Sequence, residues 1–256
     1  MKNNQFLTKK EKLSAKQVCL LIFCGALIGM VNGFFGGGGG MICVPLLERV
    51  LKLDSKFAHA TAIVIIFPIS FVSAVIYMLS GNLETIPFLT VGSGVLLGGI
   101  VGAYLLKFLP EKVIRFIFVF VMLAGGGRLL FLGEIMIYFY NIIAGFLSGI
   151  FGGLGMGGGT ILIPVLTIFL GFDQKLSQGI NLLSFLVMAL FSILIHYKNG
   201  YIVTKNIYLI IIAGVVFSIL GSICMSFLPS KILKIIFGVF LCLLAIVELI
   251  KLFKKR

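Results

Sequence analysis

No aspartate, glutamate, lysine or arginine falls in the middle of any apolar stretch long enough to cross a bilayer. Intramembrane carboxylates are the usual hardware of proton-coupled pumps, so their absence argues against an acidic proton relay and leaves backbone dipoles to compensate charge. Histidine occurs twice, at His59 and His196, each near the end of an apolar stretch. There a solvated interface imidazole is at least as good a reading as a proton carrier. An intramembrane enzyme needs a nucleophile with a base, or metal ligands, on facing helices. With two histidines and no mid-membrane carboxylate, no catalysis, metal or cofactor is expected. Cys19, Cys24, Cys43, Cys224 and Cys242 stand in apolar stretches at no metal-ligand spacing. They read as small buried hydrophobes, and no disulfide is expected.

Charge is scarce overall. The 256 residues are 60% hydrophobic and 11% charged, with mean hydropathy +1.21, far from the roughly 45–50% apolar and 25% charged content of soluble domains. The chain is therefore expected to be an all-α polytopic membrane protein whose first partner is the lipid bilayer. A net charge of +13 suggests nucleic acid, but the basic residues sit in the termini and in short connections between apolar blocks. Such residues set topology, and no soluble basic face exists to bind nucleic acid. Lys9, Lys10, Lys12 and Lys16 precede an apolar run and imitate a signal peptide. That run feeds a motif repeated in the second half, so it reads as retained.

The motif is a glycine run, Gly36 to Gly40, followed by Pro45. It recurs as Gly155, Gly157, Gly158 and Gly159 followed by Pro164, which stands 119 residues after Pro45. Asp54, Lys56, Gly81, Pro110 and Lys112 find Asp173, Lys175, Gly200, Pro229 and Lys231 at the same separation, with a one-residue slip only before the glycines, where Gly29 pairs with Gly149. Turns, charges and glycines do not match this way through apolar composition alone, so the chain is an internal duplication. Its segments are a basic tail over 1–16, a first repeat over 17–133, a second over 134–252 and a basic tail over 253–256. In the first repeat residues 17–35 form a helix, the glycines break it, and 41–51 are too few to span a core that needs about 20 residues. Spans follow at 57–79, 86–106 and 113–131. The second repeat reads 135–151, a break, 160–170, then 176–197, 207–227 and 232–252. Gly94, Gly98 and Gly102 recur every fourth residue and serve close helix packing.

Basic residues decide between two topologies. If each broken segment crosses once, 12 of the 21 Lys and Arg lie inside and 9 outside. If each enters and returns to its own side, the division is 17 to 4, which the positive-inside rule favours. Three crossings per copy is odd, so the halves are inverted, with about eight membrane segments and both termini cytoplasmic.

Glycine costs a helix roughly 1 kcal/mol per residue relative to alanine, and bare backbone inside a membrane is tolerated only where protein covers it or where it lines a cavity. Two breaks arriving from opposite faces expose amides and helix N-termini to the place where secondary transporters bind substrate. The expected ligand is a small anion bound at Gly36, Gly38, Gly39, Gly40 and Met41 and at Gly155, Gly157, Gly158, Gly159 and Thr160, held by the N–H groups of Gly38 to Met41 and of Gly157 to Thr160. Thr160 can cap its short helix, whereas its counterpart Met41 cannot. Thr61 and Asn181 are the side-chain candidates, and Pro45 and Pro164 are structural. For Thr61, Gln178, Asn181 and Ser184 a local bond to backbone competes evenly with ligand contact. An anion channel, or less readily an accessory membrane subunit, are the alternatives to a carrier. Nothing in the sequence separates monomer from homodimer.

The doubled glycine-rich stretch ending in Pro-Leu or Pro-Val, at 36–47 and 155–166, resembles the TauE/SafE family of sulfite and organosulfonate exporters, also described as toluene-sulfonate uptake permeases. The resemblance covers nearly the whole chain after the N-terminal tail. It implies an inner-membrane transporter of about eight segments acting on sulfite, organosulfonates and related small organic anions; residues and resemblance together give the expectation of a secondary transporter that exports such an oxyanion or carboxylate by alternating access.

Overall fold

The computed structural model describes residues 14–37, 39–106, 136–155 and 157–254. The expected span 113–131 and the glycine Gly38 lie outside the described residues. The described residues are helical with no strand. Helix α1 is Ala15–Phe35, α2 Gly39–Val50, α3 Ser55–Leu79 and α4 Thr85–Leu105. The second half holds α5 Met136–Gly153, α6 Gly159–Pro164 continued by a π-helical turn Val165–Phe169, α7 Gln174–Lys198, α8 Ile207–Phe227 and α9 Ser230–Lys254. Among the described residues five helices, α1, α3, α4, α7 and α8, are long and apolar enough to cross a membrane.

Local chemistry explains the boundaries. Gln17 Oε1 accepts from Ser14 N–H at 2.9 Å at the start of α1, and α1 ends on Gly36 with φ +63. Asp173 accepts from Lys175 N–H at 2.9 Å and caps α7, and Asp54 takes the same position before α3. The backbone repeats its bends at the sequence interval: positive φ occurs at Gly36 and Gly155, Lys52 and Gly171, and Gly81 and Gly200, each pair 119 residues apart. Helices α3 and α7 occupy equivalent ranges. Pro164 lacks an N–H, the following turn widens, and Thr167 donates its hydroxyl to Ile163 O at 2.9 Å.

The glycine run is less unwound than its composition suggests. Gly39 and Gly40 are already wound into α2. In apolar surroundings an amide gains more from an internal partner than glycine loses by being helical, so the break shrinks to the fewest residues that reverse the chain. The chain does reverse: Asn32 lies against Gly39, Cys24 beside Cys43, and Leu21 shares a core cluster with Leu47, so α2 runs back along α1. In the second half Ser148 lies against Gly158 and Ala144 clusters with Val165, making α5 and α6 the same kind of hairpin.

Contact register fixes the directions. Gly25, Gly29 and Gly33 face Ile210, Gly214 and Ser218, so α1 and α8 are parallel. Gly145, Gly149 and Gly153 face Val91, Val95 and Gly99, so α5 and α4 are parallel, with Gly94, Gly98 and Gly102 in the same seam. Asn32 bonding Ser70 and Tyr77 reaching Gly33 make α3 parallel to α1, whereas Tyr77 bonding Gln178 and Thr61 bonding Val203 make α7 antiparallel to α3. Gly92 against Ser184 and Gly99 against Met188 make α4 parallel to α7. Hence α1 and α5, α3 and α7, and α4 and α8 run oppositely: the halves are inverted, and each hairpin packs on the other half's fourth helix. Large apolar side chains such as Phe23, Leu79, Leu89 and Phe227 face outward, where lipid covers them.

A Cβ at Gly29 or Gly98 would run into the carbonyl of Gly214 or Phe146, whereas one at Gly92 would sit 3.4 Å from Ser184 Oγ, an ordinary contact. Gly29→Val and Gly98→Val should each destabilise by about 1–3 kcal/mol through overpacking, while Gly92→Ala should be tolerated. Thermal unfolding of the purified variants in detergent checks the order; equal effects at all three positions would contradict the close seams.

Candidate functional site

The two hairpin tips touch. A Cβ at Gly37 would lie 3.3 Å from Gly159 Cα, and one at Gly157 would lie 3.2 Å from Met41 N and 3.5 Å from Gly40 N. Each half thus sets its break against the first turn of the other half's short helix. Gly155 and Gly157, at φ +79 and +80, bend the second tip through conformations that side chains resist. Between the tips is a cavity of about 20 Å³, room for one water molecule. Its walls are Gly37 and Gly40 from the first tip, and Gly152, Gly155, Gly157, Gly158 and Gly159 from the second. Ile63, Ile66 and Ser70, from the middle of α3, and Leu182 and Phe185 of α7 close the sides. Among the described residues the polar lining is Asn32, Ser70 and Asn181, and no charged side chain lines it.

Each polar group is held. Asn32 Nδ2 donates to Ser70 Oγ at 3.0 Å, linking the first hairpin to α3. Asn181 Nδ2 donates to Gly36 O at 2.7 Å, so α7 of the second half fastens the bend of the first. Ser148 Oγ donates to Gly158 O at 2.7 Å and pins the returning limb of the second tip to α5. Buried amides and hydroxyls in hydrocarbon persist only with such partners, and a ligand group can compete for them.

The expected site residues divide. Gly40, Gly155, Gly157, Gly158, Gly159 and Asn181 line the cavity; Gly39 lies beside Asn32 and Gly36 is bonded to Asn181. Met41 brings its backbone nitrogen toward Gly157. Thr160 is placed otherwise than expected: it is the second residue of α6, not its cap, its hydroxyl donates to Gly157 O at 2.9 Å, and its amide donates to the same carbonyl at 3.1 Å. Both donors are spent within the bend. Thr61 lies outside the cavity, its hydroxyl accepting from Val203 N–H at 3.0 Å in the loop after α7. Pro45 and Pro164 lie within α2 and α6. His196 is not a solvated interface residue but fully buried. Sequence reasoning missed Asn32, Ser70 and Ser148. The signal for Asn32 was present, a lone amide in an apolar helix four residues before the bend, where an unpartnered polar group is costly.

A family model described as sulfite exporter TauE/SafE matches residues 3–129 and 141–256. Among curated proteins, the probable membrane transporter protein YunE of Bacillus subtilis is 32% identical over 107 residues, 42% of this chain and 39% of that protein. The probable membrane transporter protein MJ0441 of Methanocaldococcus jannaschii is 25% identical over 166 residues, 58% of this chain and 61% of the relative. The match thus spans less than two thirds of either relative. No solved structure matches.

Asn181→Leu should remove the donor to Gly36 O and cost about 1–3 kcal/mol by leaving that carbonyl buried without its partner, whereas Thr61→Val should leave the bend intact. Thermal unfolding with protease sensitivity of the α1–α2 turn reads both effects. An intact turn in Asn181→Leu would show that the bond does not hold the bend.

Proposed function

We propose that this chain, which belongs to the sulfite exporter TauE/SafE family, is a secondary transporter that exports a small anion by alternating access between its inverted halves. That it is a multi-pass membrane transporter follows from its family and its apolar helices. The substrate class, sulfite, an organosulfonate or a related oxyanion or carboxylate, is our reading, as are the inner membrane and the cytoplasmic termini. The observation that carries it is the meeting of two oppositely directed hairpin tips around a cavity with amide donors and no carboxylate among its described lining residues. Amides at the start of α2, around Gly39, Gly40 and Met41, lie at the positive end of that helix dipole and suit an anion. Gly157 to Gly159 bring backbone close from the other side, and Asn32, Ser70 and Asn181 supply side-chain polarity.

Charge compensation in this reading comes from dipoles, so the anion is held without being locked to a fixed cation. The cavity has room for one water molecule, so admitting an oxyanion requires the tips to separate. Because each tip belongs to a hairpin entering from its own face, opening them singly gives two mutually exclusive routes. This distinguishes a carrier from a channel.

Counterflow in proteoliposomes with labelled sulfite, sulfate, thiosulfate, acetate and sulfoacetate tests the proposal. Loading the far side with one of these anions should speed uptake of the same anion; flux indifferent to trans anion would mark a channel, and no flux of any would remove the anion reading. Gly157→Ala, at φ +80 and against Met41 N, should lower flux on the order of tenfold or more by displacing the tip, with normal membrane insertion.

A further inference from the structure

The inverted halves make one further contact twice. Near the end of α3, Tyr77 is fully buried and its hydroxyl reaches carbonyls of the last turn of α1, 3.2 Å from Gly33 O and 3.3 Å from Phe34 O, and lies 2.9 Å from Gln178 Oε1. His196, which stands 119 residues later on α7, is fully buried too, and its Nε2 lies 2.9 Å from Gly153 O in the last turn of α5. Gly153 stands 120 residues after Gly33, the one-residue slip that the duplication shows before its glycines. Each side chain crosses from a long helix to the carbonyl edge of a hairpin, two or three residues before the bend. Equivalent positions perform the same act with different chemistry.

A carbonyl accepts only, so Nε2 carries the proton and neutral His196 has its lone pair on Nδ1. Nδ1 is buried with no partner among the described residues. Protonation would add an N–H there that the latched arrangement does not match. Tyr77 has no such alternative near neutral pH, since a phenol titrates near 10.

We propose that Tyr77 and His196 are the paired latches of the two hairpin tips, and that His196 makes the second latch open on protonation while the first is indifferent to it. This rests on the alternating-access reading and adds to it an unequal response of the two gates. His196 lies at the end of α7, on the face where α1 and α3 begin, so acidification of that face is the relevant signal. The titratable or charged groups at this end are Glu48, Arg49 and Lys52 at the end of α2 and beyond, Asp54, Lys56 and His59 at the start of α3, and Tyr104 on α4. Tyr197, Lys198, Tyr201 and Lys205 on α7 and the following turn, Lys16 and Cys19 at the start of α1 and Tyr208 at the start of α8 complete the set among the residues whose side chains are described. Of these only His59 ordinarily titrates between pH 5 and 8. The chain has two histidines, which makes it the sufficient control.

The experiment is hydrogen exchange of the purified full chain in lipid nanodiscs at pH 8 and 5.5, corrected for intrinsic exchange. The second tip, 152–159, is read against the first, 34–41, as internal reference. A released imidazole titrates near 6.5, so one unit below that value the second tip should open on the order of tenfold more often relative to the first. His196→Gln, whose Nε2 can still donate to Gly153 O, should keep the pH 8 pattern and lose the change; His59→Gln should retain it. His196→Leu should leave the second tip open at both pH values, with His196→Gln showing that the loss is not general misfolding. A ratio unchanged by pH in the native chain, or a change that survives in His196→Gln, overturns the proposal. A pH response of the tip without flux of any anion would retain the latch and refute the transport reading instead.

Discussion

The bilayer core donates no hydrogen bonds, and the rest of this structure follows from what that demands at the two places where the helices stop. A break frees carbonyls on the helix before it, and here other helices meet them. Asn181 donates to Gly36 and Ser222 lies 3.3 Å from Gly33 O beside Tyr77, while within the second bend itself Ser148 donates to Gly158 and Thr160 to Gly157. Asn181, Ser148, Ser222 and Tyr77 are therefore explained first as partners of backbone at the breaks. A ligand site in such a place must be assembled from groups that also hold the fold.

Holding the tips also requires that whole helices approach closely, since an Asn or Ser side chain reaches only a few ångströms. The α1–α8 and α4–α5 seams provide this, with glycines at every fourth position set against the partner backbone. In lipid there is little hydrophobic drive between helices, and close packing supplies the attraction instead. Each seam joins the hairpin of one half to the fourth helix of the other. A relative movement of the halves is consequently a movement of these seams and of the tips together.

The duplication was legible in the sequence because its markers are backbone markers. Glycines at positive φ and aspartates before α3 and α7 act through their own residue's geometry, so their spacing alone reports the repeat. The return of the chain could be read from the distribution of Lys and Arg, a property of loops. Hydroxyl and amide roles were not legible. Whether Thr61 faces the cavity or the Val203 amide depends on which helix lies opposite, and Thr160 spends its donors locally because the tight bend brings Gly157 O within reach. The length of the break was overestimated for a related reason: glycine's helix cost is a measurement made against water, and water is absent at that depth.

The two halves share a backbone and differ where chemistry is done. Gly39 and Gly158 are equivalent, yet the first leans on Asn32 and the second on Ser148. Asn181, which reaches across to Gly36, has Ala62 as its counterpart, and Ala62 has no polar group to send to Gly155. Gly155 rests instead on the backbone of His59, whose counterpart Gln178 lies against Gly36. Polar donors from Asn32 and Asn181 thus gather on the side of the first bend, while the second contributes mainly backbone. The contacts that hold the first tip are therefore not those that hold the second.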